Sequence, residues 1–262
     1  MKFFTELHPV LQGFIATLFT YAVTALGAAL VFFFKKVSKT LIDVMLGFAA
    51  GVMIAASFWS LLAPAIELSA KLGKNAAFTA AAGFLSGGLF VMAADILMTK
   101  ANKGKNTDRK ARRSVLLAAA VTIHNIPEGL AVGVAFGSAA CGETGVSLTA
   151  AAMLALGIGI QNFPEGVCVA MPLYVSGKSK WKSFAAGQAS GLVEPVAGVL
   201  GALFAVAANE ALPAALSFSG GAMIAAVCSE LIPEAFEGNK LVAEAGILAG
   251  FTVMMVLDVA LG

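Results

Sequence analysis

Two similar polar hexapeptides interrupt long apolar runs near the middle of the chain. The first, His124–Gly129, reads HNIPEG, and the second, Gln161–Gly166, reads QNFPEG. In each, the first residue and the glutamate are four positions apart, so both side chains lie on one face of a helix. If the two helices pack antiparallel, these faces offer one imidazole, two carboxylates and three amide oxygens. Such a nitrogen and oxygen site suits Zn²⁺ or a similar first-row divalent ion.

Each hexapeptide also carries a proline, Pro127 or Pro164, inside its apolar run. A proline within a helix removes one backbone hydrogen bond and frees the carbonyl group four residues earlier, here that of Ile123 or Ile160. In a membrane such a defect persists only where neighbouring groups or water satisfy the freed carbonyl. We therefore expect a kink beside each glutamate, which opens room for an ion.

The composition predicts that a bilayer surrounds most of this chain. Of its 262 residues, 59% are hydrophobic and 12% are charged, whereas soluble domains are about 45–50% apolar and about 25% charged. The net charge of +2 is too small to suggest a nucleic-acid partner. Charged residues punctuate the apolar runs, and a transmembrane helix needs about 20 mainly apolar residues. A single transmembrane domain, residues 1–262, with eight helices is therefore predicted.

The eight predicted helices also fix an orientation. They lie near 9–34, between 43 and 67, near 75–98, after 113 and before 142, from 145 to before 177, and near 183–208, 213–235 and 241–261. Of 17 lysine and arginine residues, 14 fall in the loops after the first, third, fifth and seventh helices. Because cytoplasmic loops carry an excess of positive residues, these loops are predicted to be cytoplasmic and both termini extracytoplasmic.

A second internal repeat links the second and seventh predicted helices. Gly51–Glu67 and Gly221–Glu237 share eight of 17 positions. These helices cross the membrane in opposite directions, as do the fourth and fifth, which carry the hexapeptides. Chance convergence of small apolar residues could mimic the match between the second and seventh helices. It would not readily mimic the pair of hexapeptides as well. Inverted repeats around a polar site are typical of secondary transporters. We therefore predict an all-α membrane protein with an inverted 3+2+3 arrangement.

Four carboxylates fall at depth in the predicted helices: Glu128, Glu165, Glu194 and Glu230. A charge at the bilayer centre costs at least ~2.5–3.5 kcal/mol, and the interiors of the fourth to seventh helices contain no lysine or arginine. Protonation or a bound cation must therefore neutralise these groups. Glu194, beside Pro195, is expected to bind a metal or a proton. Glu230 either passes ions toward the cytoplasm or marks a hydrated helix end.

The two hexapeptides resemble the paired metal-binding motifs of the ZIP family of divalent-metal transporters, nearest to its bacterial-type branch. The resemblance covers essentially the whole chain. It implies a multi-pass protein of the cell membrane that moves zinc, or iron, manganese or cadmium, into the cytoplasm. The metal would be the transported substrate, with no cofactor and no enzymatic activity. The implied metal-binding residues are His124, Asn125, Glu128, Gln161, Asn162, Glu165, Glu194, Met53 and, at the inner exit, Glu230.

Some of these positions remain open. Met53 also suits the apolar core, which is the commoner place for a methionine. The loop between the third and fourth helices lacks the histidines that many family members carry there. Some members have aspartate at the position of Asn162, so the missing charge weakens the case for two metal ions side by side.

Two other functions compete with metal transport. A proton-coupled carrier of an organic solute could use the carboxylates as proton relays. An intramembrane hydrolase with metal-activated water is disfavoured, because the sequence has no HExxH motif and no Ser/His/Asp or Cys/His set. The partners expected are a metal ion and the lipid bilayer, with no nucleic acid, and a homodimer is left open.

Overall fold

The computed structural model describes residues 6–34, 38–101, 109–140, 146–175 and 177–261, and all regular structure in these ranges is helical. Within them, the side chains of residues 98, 99, 101, 109–121, 123, 124, 172, 209 and 261 lie outside the described part. The eight long helices of the described ranges are α1 (Pro9–Phe32), α2 (Lys39–Lys71), α3 (Ala76–Ala101), α4 (Arg109–Ala140), α5 (Leu148–Val175), α6 (Lys180–Ala207), α7 (Leu212–Ala235) and α8 (Lys240–Leu261). The all-α prediction is confirmed.

The described helices have the dimensions of membrane spans. Seven of them, all except α4, are long and apolar enough to cross a bilayer. In α3 and α8 only 22% of the apolar stretch of the helix is buried inside the protein. These helices therefore present large apolar side chains outward. Leu89 of α3 and Leu248 of α8 are 61% and 69% exposed. Lipid is the solvent that suits such a surface, while the crossing of α4 stays a prediction.

Two helices contain π-helical segments that the sequence reading missed. They are Ser57–Leu62 in α2 and Val227–Leu231 in α7. When Gly51 is aligned with Gly221, the two segments begin at the same position of the repeat. The repeated sequences therefore share a backbone irregularity as well as residues, and π segments are frequent at functional sites.

Helix α6 is interrupted at Leu192, between the helical segments Lys180–Gly191 and Val193–Ala207. Pro195 accounts for the break, since it cannot donate to the carbonyl group of Gly191 and its ring crowds that group. The second segment therefore begins one residue before Glu194. By contrast, the helical structure of α4 and α5 continues through Pro127 and Pro164, so neither proline ends its helix, and the kinks expected there stay predictions.

The helices pack as four pairs, α1 with α5, α4 with α6, α2 with α8, and α3 with α7, and the order of their backbone contacts makes the pairs parallel. In the α4–α6 pair, Gly129 lies against Glu194, Gly133 against Gly198, and Gly137 against Ala202, so both chains run in the same direction. Small residues let backbones approach closely where lipid gives helices no hydrophobic reason to associate. Exchanging α1 with α6, α2 with α7, α3 with α8 and α4 with α5 converts this set of pairs into itself. That exchange is the one expected for an inverted 3+2+3 repeat.

These pairs assemble into two four-helix groups. Helices α1, α4, α5 and α6 pack with one another, and α2, α3, α7 and α8 form the second group, with α5 against α2 and α4 against α7 at the junction. The largest apolar cluster spans this junction and includes Met53 of α2, Ile158 of α5 and Met223 of α7, all fully buried.

Neighbouring glycines of α3 test the close packing. A Cβ atom at Gly87 would lie 2.7 Å from the Phe218 carbonyl carbon and 2.9 Å from the Ala222 nitrogen, both backbone atoms of α7. A Cβ atom at Gly88 meets nothing nearer than 3.6 Å. We expect Gly87→Ala to destabilise the protein by about 1–3 kcal/mol through overpacking, and Gly88→Ala to be neutral or mildly stabilising. Thermal unfolding in detergent measures both, and equal stability of the two variants would contradict the packing.

Candidate functional site

Six polar side chains lie buried between α4, α5 and α6, where the sequence predicted an ion site. Each is at most 2% exposed: Asn125, Glu128, Gln161, Asn162, Glu165 and Glu194. All six are predicted metal-binding residues. They belong to one of the two helix groups, so the pairing of α4 with α6 and of α1 with α5 is what holds them together.

A direct hydrogen bond joins the two hexapeptides. The Gln161 side-chain nitrogen donates to Oε1 of Glu128, which links α5 to α4 in the interior. The faces predicted from the four-residue spacing therefore meet. Charge-assisted bonds of this type are shorter and stronger than neutral ones, so this bond helps to fix both side chains.

Glu194 is surrounded by hydrogen-bond donors from two other helices. Asn162 Nδ2 of α5 lies 3.0 Å from its Oε1 and 2.9 Å from its Oε2. From α1, the Thr20 hydroxyl donates to Oε2, and the Thr24 hydroxyl lies 3.4 Å from Oε1. Gly191 leaves room for this arrangement, because a Cβ atom there would lie 3.0 Å from Oε1 of Glu194.

The sequence reading missed the threonines of α1. Thr17, Thr20 and Thr24 are all 0% exposed and are spaced three and four residues apart, so they share one face. This spacing was the available signal, but threonines that bond to their own helix backbone are ordinary in apolar helices. Thr17, for example, donates to the carbonyl oxygen of Gly13 at 2.8 Å.

The three amide side chains of the site share one pattern, in which the nitrogen is bonded and the oxygen is not. The nitrogens donate to Ser190 O from Asn125, to Glu128 from Gln161, and to Glu194 from Asn162. Their oxygens, Asn125 Oδ1, Gln161 Oε1 and Asn162 Oδ1, are buried and accept no hydrogen bond from the described atoms. Burying an unsatisfied acceptor costs about 1–3 kcal/mol. Three such oxygens in one cluster favour a cation as their missing partner.

Negative charge accumulates at the same place. The carboxylates of Glu128 and Glu165 both repel that of Glu194. The sequence between Arg113 and Lys178 contains no lysine or arginine to compensate them. Oxygen atoms of carboxylates and amides therefore dominate the described part of this site.

The remaining three predicted residues are His124, Met53 and Glu230. The backbone of His124 lies in α4, one turn before Glu128, but its side chain lies outside the described part of the structure. Met53 is buried in the apolar cluster at the junction of the two helix groups. Glu230 lies on α7, within the π segment, and is only partly buried. Among the described residues, which do not include the His124 side chain, no three histidine, cysteine or acidic side chains form a metal cluster by themselves.

Comparison with known proteins decides the family. The family model described as ZIP Zinc transporter matches residues 101–258, which include both hexapeptides. The chain belongs to the ZIP family. It is 40% identical to zinc transporter ZIP11 of Bos taurus, with 97% of this chain and 98% of the relative covered. Zinc transporter GufA of Myxococcus xanthus is 37% identical, covering 95% and 99%, and zinc transporter ZIPB of Bordetella bronchiseptica is 36% identical, covering 92% and 79%.

Membership in the ZIP family confirms the resemblance drawn from the hexapeptides. The protein is a multi-pass membrane transporter and not an enzyme, which removes the hydrolase alternative. Relatives of this chain within the family occur in both bacteria and vertebrates.

The buried charge predicts an unusual effect of Glu128→Gln. Neutralising one carboxylate relieves repulsion on Glu194 while keeping an oxygen to accept from Gln161. Without metal, in the presence of EDTA, we expect the unfolding temperature to rise by at least ~2 °C, since 1 kcal/mol corresponds to about 2–4 °C at this size. Added Cd²⁺ should stabilise the wild type but no longer this variant.

Glu67→Gln is the matched control, because Glu67 is an exposed carboxylate on α2. It should change neither the metal-free unfolding temperature nor the response to Cd²⁺. An unchanged or lowered metal-free unfolding temperature for Glu128→Gln would show that repulsion in this cluster does not limit stability.

Proposed function

We propose that this protein transports a divalent metal ion, Zn²⁺ first and Cd²⁺, Fe²⁺ or Mn²⁺ by similarity of charge and size, through the site between α4 and α5. The observation that carries the proposal is the set of three buried amide oxygens that accept from no described donor, beside three buried carboxylates. The printed names of the relatives, all zinc transporters, support the same substrate.

The ligands follow from the chemistry of the cluster. Oxygens of Glu128 and Glu165 supply negative charge, and the amide oxygens of Asn125, Gln161 and Asn162 complete an oxygen-rich shell. His124, one helical turn before Glu128, adds the nitrogen ligand that Zn²⁺ prefers. An arriving ion exchanges its hydration water for these groups, and its charge offsets the cost of burying the carboxylates.

The path on either side of this site uses residues of the second helix group. Met53 lies at the junction that faces α5 and offers a weak soft ligand or an apolar seal. Glu230, partly exposed on α7, offers a carboxylate toward the exit. With the lysine-rich loops in the cytoplasm, the ion moves inward across the cell membrane.

Transport of an organic solute fits the cluster less well. A solute of that kind needs an apolar pocket with a few polar groups, whereas three carboxylates and three bare amide oxygens present acceptors and no free donor. A small cation satisfies the bare amide oxygens together with the carboxylates of Glu128 and Glu165. Thermal stabilisation by an organic solute, without any by Zn²⁺ or Cd²⁺, would favour the carrier.

Transport should depend on both hexapeptides. In proteoliposomes loaded with a metal-sensitive dye, we expect Glu128→Ala and His124→Ala to reduce Zn²⁺ and Cd²⁺ uptake to background. Membrane insertion and detergent elution profiles should stay normal, because neither residue sets the helix boundaries. Glu67→Ala serves as the control and should transport normally. Uptake at the wild-type rate in both hexapeptide variants would overturn the proposal.

The orientation is tested with two lysines on opposite predicted sides. In a background without Cys141, Cys168 and Cys228, single cysteines replace Lys74, in the loop after α2, or Lys178, in the loop after α5. A membrane-impermeant maleimide should label Lys74→Cys in intact cells and Lys178→Cys only after permeabilisation. The reverse pattern would mean that the chain is inserted the other way round.

A further inference from the structure

Glu194, a fully buried carboxylate of the site, already has hydrogen-bond donors at both of its oxygens. An ionised carboxylate accepts at about four lone-pair positions. Four donor contacts reach Glu194: two from Asn162 Nδ2, at 2.9 and 3.0 Å, one from Thr20 and a longer one from Thr24 at 3.4 Å. A metal ion bound directly to Glu194 would have to displace donors from both α1 and α5.

Asn162 is fixed by the same contacts. Its nitrogen lies against both Glu194 oxygens and 3.3 Å from the backbone carbonyl of Thr20. Every one of these partners is an acceptor, so the nitrogen and not the oxygen must face them. The amide oxygen, Oδ1, then lies on the opposite side of the group, where it is buried and accepts no hydrogen bond from described atoms.

We propose that the site holds one divalent ion and that Glu194 stays outside its coordination shell as a positioning residue, which turns the Asn162 carbonyl oxygen toward the ion. This inference rests on the proposed function, since it concerns the same cargo. Carboxylates that orient a ligand through a hydrogen bond are common behind metal sites, and they also raise the ligand's ability to donate electrons.

The same contacts exclude a second ion beside the first. Such an ion would need the Glu194 carboxylate together with a negative group at position 162. Instead, the N–H groups of Asn162 lie beside the Glu194 carboxylate and point their partly positive hydrogens at it. The hydroxyl groups of Thr20 and Thr24 stabilise the negative charge of Glu194 with neutral donors. A second cation is therefore not needed to offset that charge.

Cadmium binding to the purified full-length protein tests the inference. Bound Cd²⁺ is counted by elemental analysis after equilibrium dialysis, and the number held by the site is the difference between wild type and Glu128→Ala. We expect one ion for the wild type and two for Asn162→Asp, which replaces the donor by a carboxylate beside Glu194.

Affinity separates a positioning residue from a ligand. Glu194→Gln retains an acceptor for Asn162, so we expect it to keep one ion with Cd²⁺ affinity reduced about 10-fold, the usual cost of a change behind a metal ligand. Glu128→Gln should lose far more affinity. Thr20→Val, which removes the hydroxyl at similar volume, should also weaken binding, and Thr20→Ser should restore it.

The outcomes distinguish this inference from the proposed function. Two ions in the wild type, or equal loss of affinity in Glu194→Gln and Glu128→Gln, would overturn the inference and leave metal transport standing. No difference in bound Cd²⁺ between wild type and Glu128→Ala would overturn the proposed function itself. The Thr20→Val and Thr20→Ser pair keeps the test decisive should a Glu194 variant fail to fold.

Discussion

The cost of keeping negative charge away from water governs this structure. Each carboxylate near the bilayer centre costs at least ~2.5–3.5 kcal/mol, so three of them approach ~10 kcal/mol, comparable with the whole stability of a typical domain. Glu128, Glu165 and Glu194 are nevertheless at most 2% exposed. The surrounding helices have to supply compensation, and the two ways in which they do so define the site.

Hydrogen-bond donors of the protein provide one kind of compensation, and under the proposed function the transported ion provides the other. Glu194 receives neutral donors from Asn162, Thr20 and Thr24, which are present whether or not an ion is bound. Around Glu128, by contrast, the nearby amides of Gln161 and Asn125 direct their oxygens to no described donor. The donors around Glu194 stabilise the empty protein, and under the proposed function the unsatisfied oxygens near Glu128 make the empty state less favourable than the loaded one.

The sequence predicted which polar side chains of α4 and α5 meet in the interior because the signals for this are local, while their role in binding a metal stays a prediction. A four-residue spacing places His124 with Glu128 and Gln161 with Glu165 on helix faces, and the Gln161–Glu128 bond follows once those helices pack. Charged residues bounded the apolar runs, so most helix ends fall within a few residues of expectation. The role of Thr20 could not be predicted, because it depends on a contact with a residue 174 positions away. The π segments were missed because no residue type marks them, whereas Pro195 could have located the break in α6.

The glycine contacts have a consequence for how the molecule can change shape. Within the parallel pairs, glycines such as Gly133 and Gly87 lie against the backbone of the partner helix, and backbone held against backbone cannot slide without separating. At the junction of the two groups the contact is softer: Gly157 of α5 faces the flexible side chain of Met254 on α8. Packed helices shear where side chains can change rotamer. The softer contacts therefore lie between the two helix groups and not inside the group that holds the buried polar cluster. A shift of one group against the other would leave the hydrogen bonds within that cluster unchanged.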